Sequence, residues 1–471
     1  MTDKQKFIDA ASLKSKKVLV CGLQRSGMDA ADFLIKCGAC LTVSDIKKPD
    51  ELKEQLARLE KLSKEIRFEL GFHSEETFAS QDLIVLSPAV ACDSPFVLHA
   101  LSKGVKVVSE VEFASWFARA PYAAITGTNG KTTTTTLVYE ILKSSKLFDK
   151  VYIGGNIGIA FAGFADSLTP RDAAVLEISS FQMEFADTFA PRASALLNVT
   201  EDHLNRHHDM KTYMEMKMRV FQNQKSSDCA VLNADDPLVI AEKGRIKSRC
   251  YTFSVNAGSG ADVFAEDGYL QIKTAGGGLE KIIKTSQIGI IGAHNLSNAA
   301  AAAAMCHYAF GVEPQTIAET LRNFKGVHHR LELVAEINGV AFYNDSKATN
   351  EDSARVALRS FTRPVLLIAG GSDKGSDFSS LASEVLKSSV KKVYVIGQVR
   401  EKIIEALARK GFSNTEALGG LEECVTKAFS EAQPGEAVLL SPACASLDMF
   451  KNYEHRGEVF IEQVVKIKSG R

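Results

Sequence analysis

The chain has 471 residues, 45% of them hydrophobic and 24% charged, with a net charge of −1. That length is too great for one core and predicts about three domains. The near-neutral balance gives no case for a nucleic-acid or acidic-membrane partner. Residues 1–17 are polar and lysine-rich with no apolar core, so no signal peptide is expected. No run approaches the roughly 20 apolar residues of a membrane span, which predicts a cytoplasmic protein. Nine cysteines are scattered singly apart from Cys37-Gly38-Ala39-Cys40. The odd number and apolar neighbours favour free thiols over a redox pair or half a zinc site.

In chain order, Lys17 to Cys21 reads as a buried strand, followed by Gly22-Leu23-Gln24-Arg25-Ser26-Gly27 and an apolar-periodic helix from Met28 to Lys36. Leu41 to Ser44 is the next strand and ends at Asp45. This is a βαβ unit with an acidic residue near the place a dinucleotide fold puts one for a ribose. Gln24 stands where the second glycine would make room for a pyrophosphate, which disfavours NAD and leaves another nucleotide open. Strands at Asp82 to Leu86 and Val105 to Val108 complete a first α/β domain, residues 1–111.

A second domain, residues 112–326, opens on the strand Tyr122 to Ile125 and the run Thr126-Gly127-Thr128-Asn129-Gly130-Lys131-Thr132-Thr133. Strand, glycine turn, Lys, Thr and helix form a short phosphate cradle: glycines let the backbone approach, N–H groups and the helix start face the phosphate, Lys131 neutralises charge and Thr132 is placed for Mg²⁺. The loop Gly154-Gly155-Asn156-Ile157-Gly158 carries an Asn able to reach a ligand. Ala173 to Ile178 is a strand with Glu177 near its carboxyl end, where parallel sheets bind ligands. Ala193 to Asn198 is another, opening onto Asn198-Val199-Thr200-Glu201-Asp202-His203. Thr132, Glu177 and His203 together suit a phosphate-bound Mg²⁺; zinc held by His203, His207 and His208 is the competing reading. Lys217, among Met214, Met216, Met218 and Val220, is either a snorkelling surface lysine or a buried one with altered chemistry. Residues 256–281 are glycine-rich and weakly patterned, which predicts a solvated loop or short hairpin. Ala299 to Ala304 predicts a close packing face, with Asn295 or Asn298 as a helix cap or a ligand contact.

A third α/β unit, residues 327–471, begins with His328-His329-Arg330. It continues through Asn344-Asp345-Ser346-Lys347-Ala348-Thr349-Asn350, Gly370-Gly371-Ser372-Asp373-Lys374-Gly375 and Ser441-Pro442-Ala443-Cys444-Ala445-Ser446. Nearly every strand ends in polar residues, and strands alternate with helices throughout. A doubly wound parallel sheet is the expected fold.

Taken together, the motifs at 126–133, 155–158, 177–182, 198–203, 344–350 and 440–448 resemble the Mur ligase family. The resemblance implies three domains: an N-terminal Rossmann-like nucleotide-sugar domain, a central P-loop-type ATPase domain with a mainly parallel sheet, and a C-terminal Rossmann-like domain. It implies an ATP-dependent amide ligase of peptidoglycan precursor synthesis. That enzyme activates UDP-N-acetylmuramoyl-L-alanine as an acyl phosphate, joins it to D-glutamate and uses two Mg²⁺ ions. A monomer without nucleic-acid or membrane partners is expected.

Residue by residue, the resemblance implies that Gly127, Thr128, Asn129, Gly130, Lys131, Thr132, Thr133, Asn295, Asn298, Arg330 and Asp345 surround ATP. Thr132, Glu177, His203 and Lys217, the last as a carbamate, would ligate metal. Arg25, Ser26, Asp45, Lys47, Ser87, Asn156 and His203 would face the UDP-substrate. Lys347, Thr349, Lys374, Ser446 and Tyr453 would hold D-glutamate. Lys131, His203, Lys217 and Lys347 are the implied catalytic set. Three departures from the family pattern stand at Gln24 with Arg25, at Ala89, and at Asp373.

Overall fold

The computed structural model describes residues 10–274, 276–373 and 375–470. It divides into two compact units, residues 1–286 with 297–320 and residues 287–296 with 321–471. Among the described residues no helix is long and apolar enough to cross a membrane.

The first unit contains two sheets. One is built from β1 (Lys17–Cys21), β2 (Cys40–Asp45), β3 (Arg67–Leu70), β4 (Leu83–Leu86) and β5 (Lys106–Ser109), all parallel in the order β3-β2-β1-β4-β5. These strands are short apolar runs because helices cover both faces. Strand order reverses between β1 and β4, leaving a crevice beyond their carboxyl ends.

The other sheet has nine strands: β6 (Tyr122–Thr126), β7 (Val151–Gly155), β8 (Ala173–Glu177), β9 (Ala193–Leu196), β10 (Cys229–Asn233), β11 (Arg249–Ser254), β12 (Val263–Glu266), β13 (Tyr269–Lys273) and β14 (Leu279–Lys284). The order is β14-β13-β12-β11-β10-β9-β6-β8-β7. Residues 256–281 are therefore more than a loop or short hairpin. They supply β12 and β13 and the start of β14, an antiparallel extension of the parallel sheet. Alternation of the buried apolar Leu270 and Ile272 with Tyr269, Gln271 and Lys273 carries the strand signal there, and the intervening glycine turns obscure it in sequence.

Ala299 to Ala304 are fully buried in the helix Ala293–Phe310. With no side chain beyond Cβ, this face lies close against the helix Lys131–Ser145, where Cys306 Sγ is 3.9 Å from the Val138 carbonyl. The helix starts at Ala293, so Asn295 and Asn298 lie inside it and neither is its cap. All nine cysteines are free.

The second unit holds a six-stranded sheet of β15 (Glu332–Ile337), β16 (Val340–Asn344), β17 (Val365–Gly370), β18 (Val390–Ile396), β19 (Thr415–Ala417) and β20 (Ala437–Leu440). Its order is β15-β16-β20-β17-β18-β19, with only the β15–β16 hairpin antiparallel.

Candidate active site

In the first unit, β7, β8, β6 and β9 are neighbours, and the loops leaving their carboxyl ends carry the predicted residues. After β6 the chain turns through Gly127 (φ 155°) and Gly130 (φ 82°) into the helix Lys131–Ser145. A Cβ on Gly130 would lie 2.3 Å from Asn298 Oδ1, so only glycine lets Asn298 pack on the turn. The loop is docked onto the residues after β9. Thr128 N donates to the Asn198 carbonyl (3.0 Å), and Asn129 exchanges two hydrogen bonds with the Asn198 side chain (2.8 and 3.1 Å). Thr128 Oγ1 donates to the Thr200 carbonyl (3.2 Å). Lys131 Nζ folds over the turn, donating to the Gly127 and Thr128 carbonyls at 2.9 and 2.8 Å. Thr132 is half-buried at the helix start and Thr133 is buried behind it.

Lys217 is 1% exposed, which rules out the snorkelling reading. Its amine donates to the same Gly127 carbonyl at 2.8 Å and stands 4.3 Å over the Tyr213 ring. Burial, reinforced by the Lys131 charge, pulls its pKa down to about 6. A neutral amine is thus held against the phosphate turn. Glu177, 2% exposed, closes β8. Its Oε1 accepts from Asn156 Nδ2 (2.7 Å), while Oε2 is buried with no hydrogen-bond partner among the described residues. A buried carboxylate oxygen left bare normally costs about 1–3 kcal/mol, and a cation would remove that cost.

His203 has a left-handed backbone (φ 55°), and its ring lies 4.8 Å from Phe181 and 6.2 Å from Tyr213. His207 is committed elsewhere: Nε2 is 2.9 Å from Ser180 Oγ and Nδ1 is 4.0 Å from Glu184. Histidines 203, 207 and 208 do not converge on one ion. Among the described residues, the His/Cys/Asp/Glu group with mutually close ligand atoms is His328, His329 and Glu332. The Glu177 carboxylate, the Thr132 hydroxyl and the His203 ring offer two oxygen donors and one nitrogen, a donor chemistry that fits Mg²⁺.

Of the residues expected near the UDP-substrate, Arg25, Ser26, Asp45, Lys47 and Ser87 lie at or just beyond the carboxyl ends of β1, β2 and β4, whereas Asn156 and His203 follow β7 and β9 in the other sheet. Ser87, directly after β4, is buried so close to Gly22 that a Cβ there would meet Ser87 Cβ at 2.7 Å. Asp45 accepts from Leu23 N (2.6 Å) and Lys47 N (2.9 Å), so its carboxylate holds the turn's backbone. Ser26 is half-buried at the start of the helix Arg25–Lys36. Arg25 donates to the Asn156 carbonyl at 2.8 Å and more weakly to Gly155 at 3.4 Å.

In the second unit, Asp345 follows β16 and is buried. It accepts from Ser441 Oγ (2.7 Å) and Leu331 N (3.2 Å), and burial pushes its pKa up to about 7. Arg330 lies between His329 and Leu331, both with positive φ, and its Nε is buried without a hydrogen-bond partner among the described residues. Asn295 Nδ2 donates to the Ile291 carbonyl at 2.8 Å. Lys347 Nζ is 5.9 Å from the Tyr453 ring centroid. Thr349 N donates to the Lys347 carbonyl, and Ser446 is buried at the foot of the 446–450 turn. Lys374 lies outside the described residues.

Three residues to which the sequence expectations give no role prove central. Arg456, fully buried, ties Ser346 Oγ (3.0 Å), the Ser346 carbonyl (2.8 Å) and the Cys444 carbonyl (3.0 Å) together, bringing Lys347, Ser446 and Tyr453 to one end of the sheet. Burial lowers its pKa to about 10. Asn198 pins the phosphate turn, and Tyr213 roofs Lys217 with its hydroxyl 3.3 Å from Thr128 Oγ1. The helical spacing of Tyr213 and Lys217 was the available signal for the last.

Family models match along the chain: "Mur ligase MurD-like, N-terminal domain" over residues 16–109, "Mur ligase middle domain" over 125–306 and "Mur ligase, glutamate ligase domain" over 329–444. The chain is 43% identical to a UDP-N-acetylmuramoylalanine–D-glutamate ligase of Caldicellulosiruptor saccharolyticus, covering 96% of this chain and 99% of that protein. It is 42% identical to one of a Geobacter species, covering 97% and 99%. Two solved structures from Thermotoga maritima share the fold. A UDP-N-acetylmuramate-alanine ligase has a TM-score of 0.57 at 21% identity, covering 96% of this chain and 100% of that one. A MurF ligase in complex with ADP has 0.58 at 17%, covering 99% and 100%.

Proposed function

The chain belongs to the Mur ligase family, and from that premise we propose that it joins D-glutamate to UDP-N-acetylmuramoyl-L-alanine at the expense of ATP, as the curated relatives' name describes. A carboxylate is a poor electrophile, so it must first be activated. The L-alanyl carboxylate attacks the γ-phosphorus, ADP leaves, and a mixed anhydride forms. The D-glutamate amine then adds to the acyl carbon, and the tetrahedral intermediate collapses to amide and phosphate.

The protein's work is placement and charge neutralisation. Lys131 and the backbone of Gly127 to Thr133 cradle the β- and γ-phosphates, with Asn298 packed on the turn and Asn295 also assigned to the nucleotide. Arg330 serves the γ-phosphate and Asp345 the ribose. Asn156 and His203 face the acyl carboxylate, and Arg25, Ser26, Asp45, Lys47 and Ser87 serve the UDP end. Lys347, Thr349, Lys374, Ser446 and Tyr453 hold D-glutamate, whose two carboxylates suit two lysines. Residues 1–111, 112–326 and 327–471 serve as substrate, ATP and amino-acid domains of a cytoplasmic monomer.

Thr132, Glu177, His203 and carbamylated Lys217 are the residues for Mg²⁺, two ions in all, which would supply charge neutralisation at the transferring phosphoryl group. The reading is carried by Lys217. A neutral lysine buried against a phosphate turn is costly as a structural element. Its lone pair is free to take up carbon dioxide with loss of a proton, which converts the amine into an oxygen ligand.

Phosphate release tests the reading, with ATP, UDP-N-acetylmuramoyl-L-alanine and, in turn, D-glutamate, L-alanine, a diamino acid and a dipeptide. D-glutamate is expected to give release well above the blank and above the others. Release no greater than the blank would defeat the assignment.

A further inference from the structure

His203 keeps a left-handed backbone without being glycine, a conformation that persists only where the surroundings over-determine it. The short helix that follows, Leu204–His207, shows what does so. Arg206 N and His207 N both donate to the His203 carbonyl, at 2.9 and 3.1 Å. The Arg206 guanidinium grips Glu184 with two bonds, Nε to Oε1 at 2.9 Å and Nη2 to Oε2 at 2.6 Å. The Glu184 side chain is 7% exposed, and its backbone carbonyl accepts from Arg219 at 2.8 Å. The same Nη2 donates to the Val90 carbonyl at 2.6 Å. Val90 closes the turn that begins at Ser87, its N donating to the Ser87 carbonyl at 3.0 Å. Between Arg206 and His203 stands the Phe181 ring, 5.3 Å from the guanidinium carbon and 4.8 Å from the imidazole centroid.

We propose that Arg206 is a positioning residue: it locks His203 to the Ser87–Val90 turn, so that the N-terminal half and the carboxylate-activating centre hold one register. The inference rests on the ligase reading for what that register serves. The two groups follow strands of different sheets in the first unit; Arg206 joins them through its bond to Val90, while its two bonds to Glu184 fix the guanidinium in place. A planar fork can make the Glu184 pair and the Val90 bond at once; a lysine ammonium keeps the charge without that geometry. The link explains why a charged pair is buried beside the site when packing alone would be served by apolar residues.

Arg206→Lys is the informative variant, because Arg206→Ala leaves Glu184 buried and unpaired and endangers folding. The double variant Arg206→Gln/Glu184→Gln removes both charges and serves as the second test. For each, kcat is expected to fall roughly tenfold and KM for the UDP-substrate to rise by a similar factor, with KM for ATP held within about twofold. Amide hydrogen exchange is expected to rise together in residues 84–92 and 203–208 and to stay unchanged in β17 and β20. Full kcat in both variants, a rise in the ATP KM in step with the substrate KM, or unchanged exchange in residues 84–92 would overturn the proposal. Wild-type enzyme with D-glutamate is the control. Should it release no phosphate, the ligase reading fails by itself, and the exchange measurement alone decides whether Arg206 couples the two segments.

Discussion

Two glycine turns in the first unit occupy corresponding places. β1 lies between β2 and β4, β6 lies between β8 and β9, and each opens through a glycine turn into a helix. Both turns are held from the neighbouring strand's end by a side-chain acceptor on a backbone N–H: Asp45 on Leu23 after β1, Asn198 on Asn129 after β6. What differs is charge. The first turn is pinned by a carboxylate and projects Gln24 and Arg25. The second is pinned by a neutral amide and crowded by Lys131 and Lys217, both donating to the Gly127 carbonyl. One scaffold therefore presents two ligand preferences, and the side chains around the turn set them. The turn that carries the Lys131 charge suits a triphosphate better than the one pinned by a carboxylate.

Removing the defining cation should give the largest effect. Lys131→Ala is expected to lower turnover by about 10³-fold while the thermal melt stays put. Arg25→Ala, at the corresponding turn, should act mainly on KM for the UDP-substrate, by roughly tenfold. Equal losses of kcat in the two variants would erase the distinction between the turns. Lys217→Ala comes next, with a loss of about 10²-fold or more and partial recovery on adding short carboxylates; activity retained in full would deny Lys217 its role.

The same lysine sharpens the comparison through pH. Its pKa is about 6 in the folded chain against an ordinary 10.5, so the unfolded chain holds one proton more across that window. Stability from this group therefore rises with pH between about 6 and 10.5 and is flat below. In carbon dioxide-free buffer, Lys217→Met should flatten that rise and melt higher than wild type at pH 7. An unchanged pH slope would show that the amine is not held neutral.

Smaller effects distinguish how each turn is built. A Cβ on Gly27 would lie 1.7 Å from the Gly22 carbonyl oxygen, so Gly27→Ala should cost about 3 kcal/mol in denaturant unfolding. A loss under about 0.5 kcal/mol would mean that the first turn tolerates rearrangement. Asn198→Ala removes two hydrogen bonds from the phosphate turn and should weaken nucleotide binding by roughly 1–2 kcal/mol, read by calorimetry. Unaltered affinity would show the turn to be rigid by itself.

The second turn was legible in sequence because its chemistry is local: strand, glycines, Lys131 and Thr132 are contiguous. Glu177 was legible as the polar end of an apolar strand. Asn198 and Arg206 were not, since their roles depend on which strand ends become neighbours, and β9 pairs with β6 across more than sixty residues of chain. Arg456 was invisible for a related reason. An arginine on a helix reads as solvated, and only the fold supplies the carbonyls of Ser346 and Cys444 that bury it. The strands of residues 256–281 were missed because glycine turns mask a period-two pattern.

If the cradle at Gly127 to Thr133 turns a substrate carboxylate into a mixed anhydride, one carboxylate oxygen must leave with the phosphate, and isotope labelling follows it. UDP-N-acetylmuramoyl-L-alanine labelled with ¹⁸O in its alanyl carboxylate is turned over with ATP and D-glutamate, and the released phosphate is weighed by mass spectrometry. Passage through the acyl phosphate predicts one carboxylate oxygen in every phosphate formed with product; unlabelled phosphate accompanying amide formation would contradict it.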